Sequence, residues 1–366
     1  MNLIEEFFPT RHAAFKPVAK QGSVGWRCPS NIALVKYWGK YPGQLPCNPS
    51  ISLTLNNAYT ETQVSYEWTE QGNIVFLFEG EVNDSFGKRI ERFIDKLSQY
   101  FPFLSHLNLE ISSTNSFPHS AGIASSASAL GALSLCICSI EEQLTGQKMY
   151  EEAFYRKAAF IARLGSGSAT RSIYGGLVLW GKLHEVHRSS DFCGVDLNGY
   201  PIVPTLCDAI LIVNSAEKAI SSTTGHALMN DNPYATVRFE QGRRHCVDLL
   251  KLLKDENMMG FCDLVEHEAL TLHGMMMTSN PGFMLLMPST IEIITKVRSF
   301  RAESKIPVCF TLDAGPNVHL LYPETYKEQV VRFIQSDLLK YCEKGKWLDD
   351  KVGLGPVLLN ETNDNE

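Results

Sequence analysis

Four segments of this chain place small or polar residues where the flanking sequence is apolar: three could hold an anion, and the fourth offers an acid. The first, Phe117-Pro118-His119-Ser120-Ala121-Gly122-Ile123-Ala124-Ser125-Ser126-Ala127-Ser128, runs into the apolar stretch Ala129 to Ile140. Small residues ahead of a helix let backbone N–H groups approach a phosphate at the helix's positive end, and serine hydroxyls add donors. The loop lacks the Gly-Lys-Ser/Thr of a Walker A motif and the Gly-x-Gly-x-x-Gly of a dinucleotide fingerprint. The second segment is Pro29 to Lys40, where Lys36 and Lys40 stand four apart around Tyr37 and Trp38. Two ammonium groups beside aromatic rings suit an anionic substrate. The third, Arg163 to Ser172, is a Gly-Ser-Gly-Ser turn followed by Arg171, whose planar fork matches carboxylate or phosphate. The fourth, Thr311 to Asn317, sets Asp313 before a Gly-Pro turn. Each also has a plain reading alone: close packing, lysines snorkelling from a loop, a flexible turn, a turn-capping aspartate.

The bulk of the chain narrows what these segments serve. A length of 366 residues implies two domains of about 150–200 residues each. A hydrophobic content of 44% and a charged content of 20% describe an ordinary globular protein. The net charge of −7 argues against a nucleic-acid or polybasic membrane binder, yet permits a local basic pocket. No apolar run approaches the roughly 18–20 residues that cross a bilayer. The acidic start, Met1 to Phe8, does not read as a signal peptide. Ten cysteines without a CxxC pair predict reduced thiols and a cytoplasmic location, with Cys136 and Cys138 as core residues. Ten histidines without an HExxH or HxxxH pair leave no protein-held transition metal to expect.

The elements that must position these residues are strands and helices in mixture, hence an α+β or α/β protein. Strands are predicted at Val24 to Tyr37, Ser50 to Leu55, Thr60 to Trp68, Ile74 to Phe78, Leu107 to Ser113 and Gly175 to Leu183. Helices are predicted at Ser85 to Tyr100, Ala129 to Ile140 and Tyr150 to Arg163. The polar stretch Val186 to Pro204 places a boundary between domains 1–205 and 206–366. The second half reads as strand Ala209 to Val213, helices near 235–254, 261–273 and 290–300, strands 308–312 and 318–322, and a last helix Tyr326 to Cys342. That alternation predicts a ferredoxin-like domain, with Asn360 to Glu366 frayed.

Together and in this order, the segments resemble the mevalonate diphosphate decarboxylases, a branch of the GHMP kinase superfamily. The resemblance runs from about Gly25 to Leu358. It is carried by Asn31 to Lys40, Asn48-Pro49-Ser50-Ile51-Ser52, Gly165 to Ser172, Ser222 to Gly225 after Ser215-Ala216-Glu217-Lys218, and Leu312 to Asn317. It implies two α+β domains with the active site in the cleft between them. It implies ATP and Mg²⁺ as cofactors and a phosphorylated mevalonate as substrate. The reaction implied is phosphorylation of the 3-hydroxyl of mevalonate 5-diphosphate, loss of that phosphate, and loss of CO₂ to give isopentenyl diphosphate. A homodimer is the family's usual assembly.

The resemblance also assigns roles. Asp313 with Lys36 would orient and deprotonate the hydroxyl, and Arg171 with Asn31 would fix the substrate carboxylate. Tyr37, Lys40, Ser166 and Ser168 would contact the diphosphate. Gly122, Ser125, Ser126 and Ser128 would cradle the ATP phosphates, and Ser222 would approach the γ-phosphate. Mg²⁺ would be held by ATP oxygens and water rather than by side chains. One departure bears on the substrate: the turn Glu79-Gly80-Glu81-Val82 lacks the family's arginine, and Lys88, Arg89 or Lys16 would have to compensate. That keeps open a decarboxylase of mevalonate 5-phosphate or a related kinase. A non-catalytic binding protein of the same fold would be expected to lack Asp313 or the phosphate loop, and both are present.

Overall fold

The computed structural model describes residues 7–8, 16–117, 123, 125–216, 220 and 222–363. The first half runs β1 (Gln21–Val35), β2 (Lys40–Tyr41), β3 (Leu45–Pro46), β4 (Ser50–Trp68), β5 (Ile74–Phe78) and β6 (Glu81–Val82). It continues with α1 (Asp84–Leu97), β7 (Leu107–Asn115), α2 (Ser125–Thr145), α3 (Glu151–Gly165), β8 (Leu177–Trp180) and β9 (Val195–Leu197). The second half runs β10 (Leu206–Leu211), α4 (Ser222–Ala227), α5 (Ala235–Lys254), α6 (Met258–Met277) and α7 (Pro288–Ser304). It ends with β11 (Cys309–Thr311), β12 (Val318–Pro323), α8 (Lys327–Phe333), β13 (Trp347–Lys351) and β14 (Val357–Asn363). No helix among the described residues is long and apolar enough to cross a membrane.

Eight strands form the first sheet, in the order β14-β1-β4-β7-β5-β6, with β8 and β9 continuing beside β4. Helices α2 and α3 cover its inner face. Helix α2 is buried nearly all round, which suits its run of Ala, Leu, Cys and Ile. It extends beyond the predicted Ala129–Ile140 because its polar C-terminal residues find partners: Glu141 pairs with Lys157 at 2.5 Å, and Glu142 accepts the Met149 N–H at 2.6 Å. Helix α1 is capped by Asn83, whose side chain accepts the Phe86 N–H, and buries Phe93, Ile94 and Leu97. The second sheet is antiparallel, in the order β11-β12-β10-β13. With the intervening helices this is the predicted ferredoxin-like βαββαβ arrangement.

Three expectations are corrected. Ser50–Leu55 and Thr60–Trp68 belong to one strand, β4, with an irregularity in its pairing to β1 between Thr54 and Tyr59. The strand stays continuous because Asp350 accepts the backbone N–H groups of Asn56, Asn57 and Ala58 at 2.7–3.0 Å. The last helix does not reach Cys342. After Phe333 it widens over Ile334–Leu338 and tightens over Leu339–Tyr341. Ser336 Oγ donates back to the Arg332 carbonyl at 2.9 Å there, a contact that bends helices. Residues 360–363 are not frayed. They complete β14, which covers the outer edge of β1 with Gly25 opposite Asn360 and Gly22 opposite Asn363.

Asp350 ties the second sheet to the irregular part of β4, so Asp350→Ala leaves the three β4 donors, and the Lys351 N–H that it also accepts at 2.7 Å, short of an acceptor. The expected cost is about 2–4 kcal/mol, counting about 1–3 kcal/mol for each buried orphan and partial rescue by water. Urea unfolding of the variant against Asp350→Asn, which keeps one acceptor oxygen, measures it.

Candidate active site

The site grows from the C-terminal end of β1. Ser30 Oγ donates to the Ile123 carbonyl at 2.7 Å, fastening the strand to the segment before α2. Thr311 Oγ1 donates to the Ala33 carbonyl at 3.3 Å, fastening it to β11. Lys36 follows directly, with its main chain held on both sides. Its N–H donates to Glu268 Oε2 at 2.8 Å, and its carbonyl accepts from Arg238 at 2.8 Å and from Asn48 at 3.0 Å. Glu268, from α6, is fully buried and takes both terminal nitrogens of Arg238, from α5, at 2.9 and 2.5 Å. His245 bonds the same carboxylate.

With its backbone locked, Lys36 sends Nζ to Asp313 Oδ1 at 3.3 Å. The two ends of the pair differ in exposure: 2% for the lysine side chain and 27% for the aspartate. Burial pushes the Lys36 pKa down, and Asp313 opposes that shift. Asp313 follows β11. Its carbonyl accepts Gly315 N–H at 2.7 Å and lies 3.1 Å from His273 Nε2. Asn317, in the same turn, accepts the N–H groups of Val213 and Asn214 at 2.7 and 2.9 Å, which binds the turn to the end of β10.

Arg171 sits on the 3₁₀ turn Gly167–Ile173 and is 3% exposed. Its Nε donates to Asn31 Oδ1 at 3.4 Å and its Nη1 to Ser50 Oγ at 2.5 Å. The guanidinium lies 5.4 Å from the Tyr37 ring centre and 6.0 Å from that of Trp180. Among the described residues no carboxylate pairs with it. Burial lowers its pKa. Asn31 donates to Ser172 Oγ at 2.8 Å and to the Ser168 carbonyl at 3.3 Å, so its oxygen is turned toward Arg171. Asp313 acts on it through charge but does not bond it, and a buried cation whose hydrogen-bond partners are neutral is suited to receive an anion.

Tyr37 packs edge-on against Trp180 at 4.8 Å, and burial raises its pKa. Lys40 donates to Gln44 at 2.7 Å. Its pKa is lowered by partial burial and by Lys96, in the last turn of α1. Lys96 is thus a cationic neighbour that acts on Lys40. The Ser166 and Ser168 hydroxyls lie 3.2 Å apart. Asn31, Lys36, Tyr37, Arg171, Ser168 and Asp313 are thus linked by direct contact or charge.

The phosphate-loop residues divide. Ser125 and Ser126 open α2 and are accessible to solvent. Ser128 departs from the expectation: it is fully buried, with its hydroxyl on Thr60 Oγ1 at 2.6 Å and the Ser125 carbonyl at 3.2 Å, so it serves the packing of α2 on β4. Gly122 lies outside the described residues, as do His119, Ser120, Glu217 and Lys218. Ser222 begins α4, and its side chain is also outside them. No three acidic, histidine or cysteine side chains gather as a metal cage among the described residues.

Sequence reasoning missed Glu268, Arg238, His245 and His226. The first three carry charge or polarity on helices otherwise read by apolar spacing. Their partners stand 23 to 232 residues away in the chain, so no local pattern announces them.

Two family models match the chain. Residues 28–191 match the diphosphomevalonate decarboxylase-like N-terminal domain, and residues 209–353 the mevalonate 5-diphosphate decarboxylase C-terminal domain. The diphosphomevalonate decarboxylase of Candida albicans is 30% identical over 321 residues, covering 84% of this chain and 86% of that one. A phosphomevalonate decarboxylase of Haloferax volcanii is 27% identical over 300 residues, covering 81% and 87%. Among solved structures, the mevalonate diphosphate decarboxylase of Staphylococcus aureus superposes with a TM-score of 0.80 at 29% identity, covering 93% of this chain and 98% of that one. The enzyme of Enterococcus faecalis gives 0.79 at 28%, covering 93% and 99%. "MDDEF in complex with MVAPP, AMPPCP and Magnesium" gives 0.80 at 28%, also covering 93% and 99%.

The Glu268 network makes a pH prediction. Burial alone raises the Glu268 pKa, but the His245 bond and Arg238 bring it below the ordinary 4.5. A carboxyl depressed in the folded state stabilises above its unfolded pKa, and that contribution is lost as pH falls further. Stability should therefore decline on acidification below about 4.5. Glu268→Ala leaves Arg238 buried and unpaired, and should cost about 3–5 kcal/mol at neutral pH while flattening that decline. Urea unfolding at pH 7 and pH 4 checks both.

Proposed function

The chain belongs to the diphosphomevalonate decarboxylase family, and from that premise we propose which of its residues carry out the ATP-dependent decarboxylation of mevalonate diphosphate. The observation that supports the assignment best is the contrast between two buried cations. Lys36 is paired with an acid at the cleft edge, whereas Arg171 bonds no carboxylate among the described residues. The first reads as an acid–base pair and the second as a seat for the substrate carboxylate.

ATP with Mg²⁺ supplies the phosphoryl group that makes the 3-hydroxyl a leaving group. The start of the 21-residue helix α2, with the accessible hydroxyls of Ser125 and Ser126, fits the ATP phosphates. Ser222, opening α4, is the residue assigned to the γ-phosphate. Tyr37, Lys40, Ser166 and Ser168 take the diphosphate of the substrate. Asp313 receives the proton of the 3-hydroxyl, and Lys36 holds that carboxylate in place and ionised. Arg171 and Asn31 grip the substrate carboxylate. When the C3–O bond breaks, its electron pair leaves with the phosphate. The C1–C2 pair then becomes the C2=C3 double bond, and CO₂ departs. Asp313 hands its proton to the departing phosphate, and the carboxylate so restored stabilises the positive charge developing at C3.

A second reading, decarboxylation of mevalonate 5-phosphate, rests on one observation. The β5–β6 turn, Glu79–Val82, offers acids and no cation. CO₂ and ADP release with Mg-ATP, compared for the 5-diphosphate and the 5-phosphate, separates the two, with turnover of the diphosphate expected. In the same assay Asp313→Asn should lower kcat by about 10²–10⁴-fold, the usual worth of a positioned base, with KM little changed. Normal decarboxylation by Asp313→Asn removes Asp313 as the base.

A further inference from the structure

The β5–β6 turn lacks a cation for the phosphate tail, so the tail's remaining donors have to come from elsewhere. His226, on α4, is 5% exposed. Its ring packs on Tyr37 at 4.7 Å and on Trp38 at 4.4 Å, both at shallow angles of 31° and 34°. The helix comes this close because Gly225 has no Cβ: one placed there would strike the Trp38 ring, 2.8 Å from Cη2. The Gly39 N–H donates to His226 Nδ1 at 2.9 Å. Gly39 itself has φ +111° and packs against Phe239, so the backbone presenting that N–H is held in one conformation.

This geometry fixes the histidine's chemistry. An Nδ1 that accepts a hydrogen bond carries no proton, so the proton of the neutral ring is on Nε2. Burial, with Lys40 and Arg171 adding to it, pushes the pKa down to about 3, which keeps the ring neutral at any physiological pH. No described residue accepts the Nε2 proton. The side chain is thus nearly buried and has no acceptor for its donor among the described residues, with Tyr37 and Trp38 enclosing it and Lys40 and Arg171 acting on it. A phosphate oxygen reaching that donor would form a charge-assisted bond with it.

We propose that His226 is a specificity-determining residue that donates its Nε2–H to the phosphate tail of the substrate, alongside Tyr37 and Lys40. The proposal rests on the assignment of Tyr37 and Lys40 to that tail. A neutral donor serves better than another cation here, because a charged group would add to the repulsion that Lys40 already receives from Lys96.

Two substitutions separate donation from support of Gly39. His226→Asn can keep an acceptor near the Nδ1 position but removes the donor at Nε2. His226→Gln keeps a donor near Nε2 and removes the acceptor. His226→Asn should raise KM for mevalonate 5-diphosphate by about tenfold, the loss expected for one hydrogen bond to a charged group, with kcat and the KM for ATP nearly unchanged. His226→Gln should recover most of that loss. A His226→Asn enzyme with the parental KM overturns the proposal. So does a larger defect in His226→Gln than in His226→Asn, which would make the ring a support for Gly39 alone. Lys40→Met is the control. If it raises the same KM while His226→Asn does not, only the histidine proposal fails. If neither does, the assignment of the phosphate tail fails with it.

Discussion

A single buried carboxylate sets the position of the chemistry. Glu268 has no solvent exposure, and it holds the Lys36 N–H with one oxygen while both oxygens hold Arg238. Arg238 in turn holds the Lys36 carbonyl. Lys36 therefore leaves β1 with both main-chain polar groups already satisfied by helices of the second domain. Its side chain is free to point one way only, toward Asp313. Breaking such a buried pair is expensive, whereas making it adds little net stability over apolar packing. Its value here is geometric. It converts the end of a strand in one domain into a fixed distance from a turn in the other.

The same constraint explains why the cleft does not neutralise itself. Lys36, Arg171 and Lys40 bring three cations, and Asp313 is the acid drawn in among them. A mobile Arg171 would find Asp313 and blunt it. Arg171 is prevented from doing so by Asn31, by Ser50 and by the faces of Tyr37 and Trp180. None of these offers it a full negative charge. The arrangement costs stability before a ligand arrives, and an anionic ligand relieves that cost.

How much of this was legible in the sequence depended on where partners lie. Asn31, Lys36, Arg171 and Asp313 stand in short segments whose polar residues contradict their apolar surroundings, and that contradiction is visible in a linear string. The ferredoxin-like class of the second half was visible too, from the strands and helices between Ala209 and Tyr322, but its fourth strand, β13, went unpredicted. Glu268 and Arg238 were invisible: a charge on an amphipathic helix ordinarily faces water, and only the packed fold shows these two facing inward. Ser128 misled for the opposite reason. It belongs to a serine-rich helix start, yet its hydroxyl is held by Thr60 of β4 and by the Ser125 carbonyl one turn back, a contact that only the packed fold shows. Strand β14 was missed because its polar end, Asn360 to Asn363, looks like a tail and is a strand only because β1 presents an edge to it.

His226 shows the limit of reading residue types without their surroundings. A histidine on a short helix would ordinarily be assigned a titration near neutrality and a role as acid or base. Here the Gly39 N–H occupies one nitrogen and burial keeps the proton off it, so the ring cannot shuttle protons near pH 7. What remains is a donor of fixed direction. In the proposed assignment the acid–base task falls instead to Asp313, which is partly exposed and faces a buried ammonium. The two tasks of the cleft, gripping anions and moving one proton, are thereby assigned to different residues. An ionised carboxylate repels phosphate, so a proton acceptor is compatible with anion binding only where Lys36 screens it and Arg171 stays out of its reach.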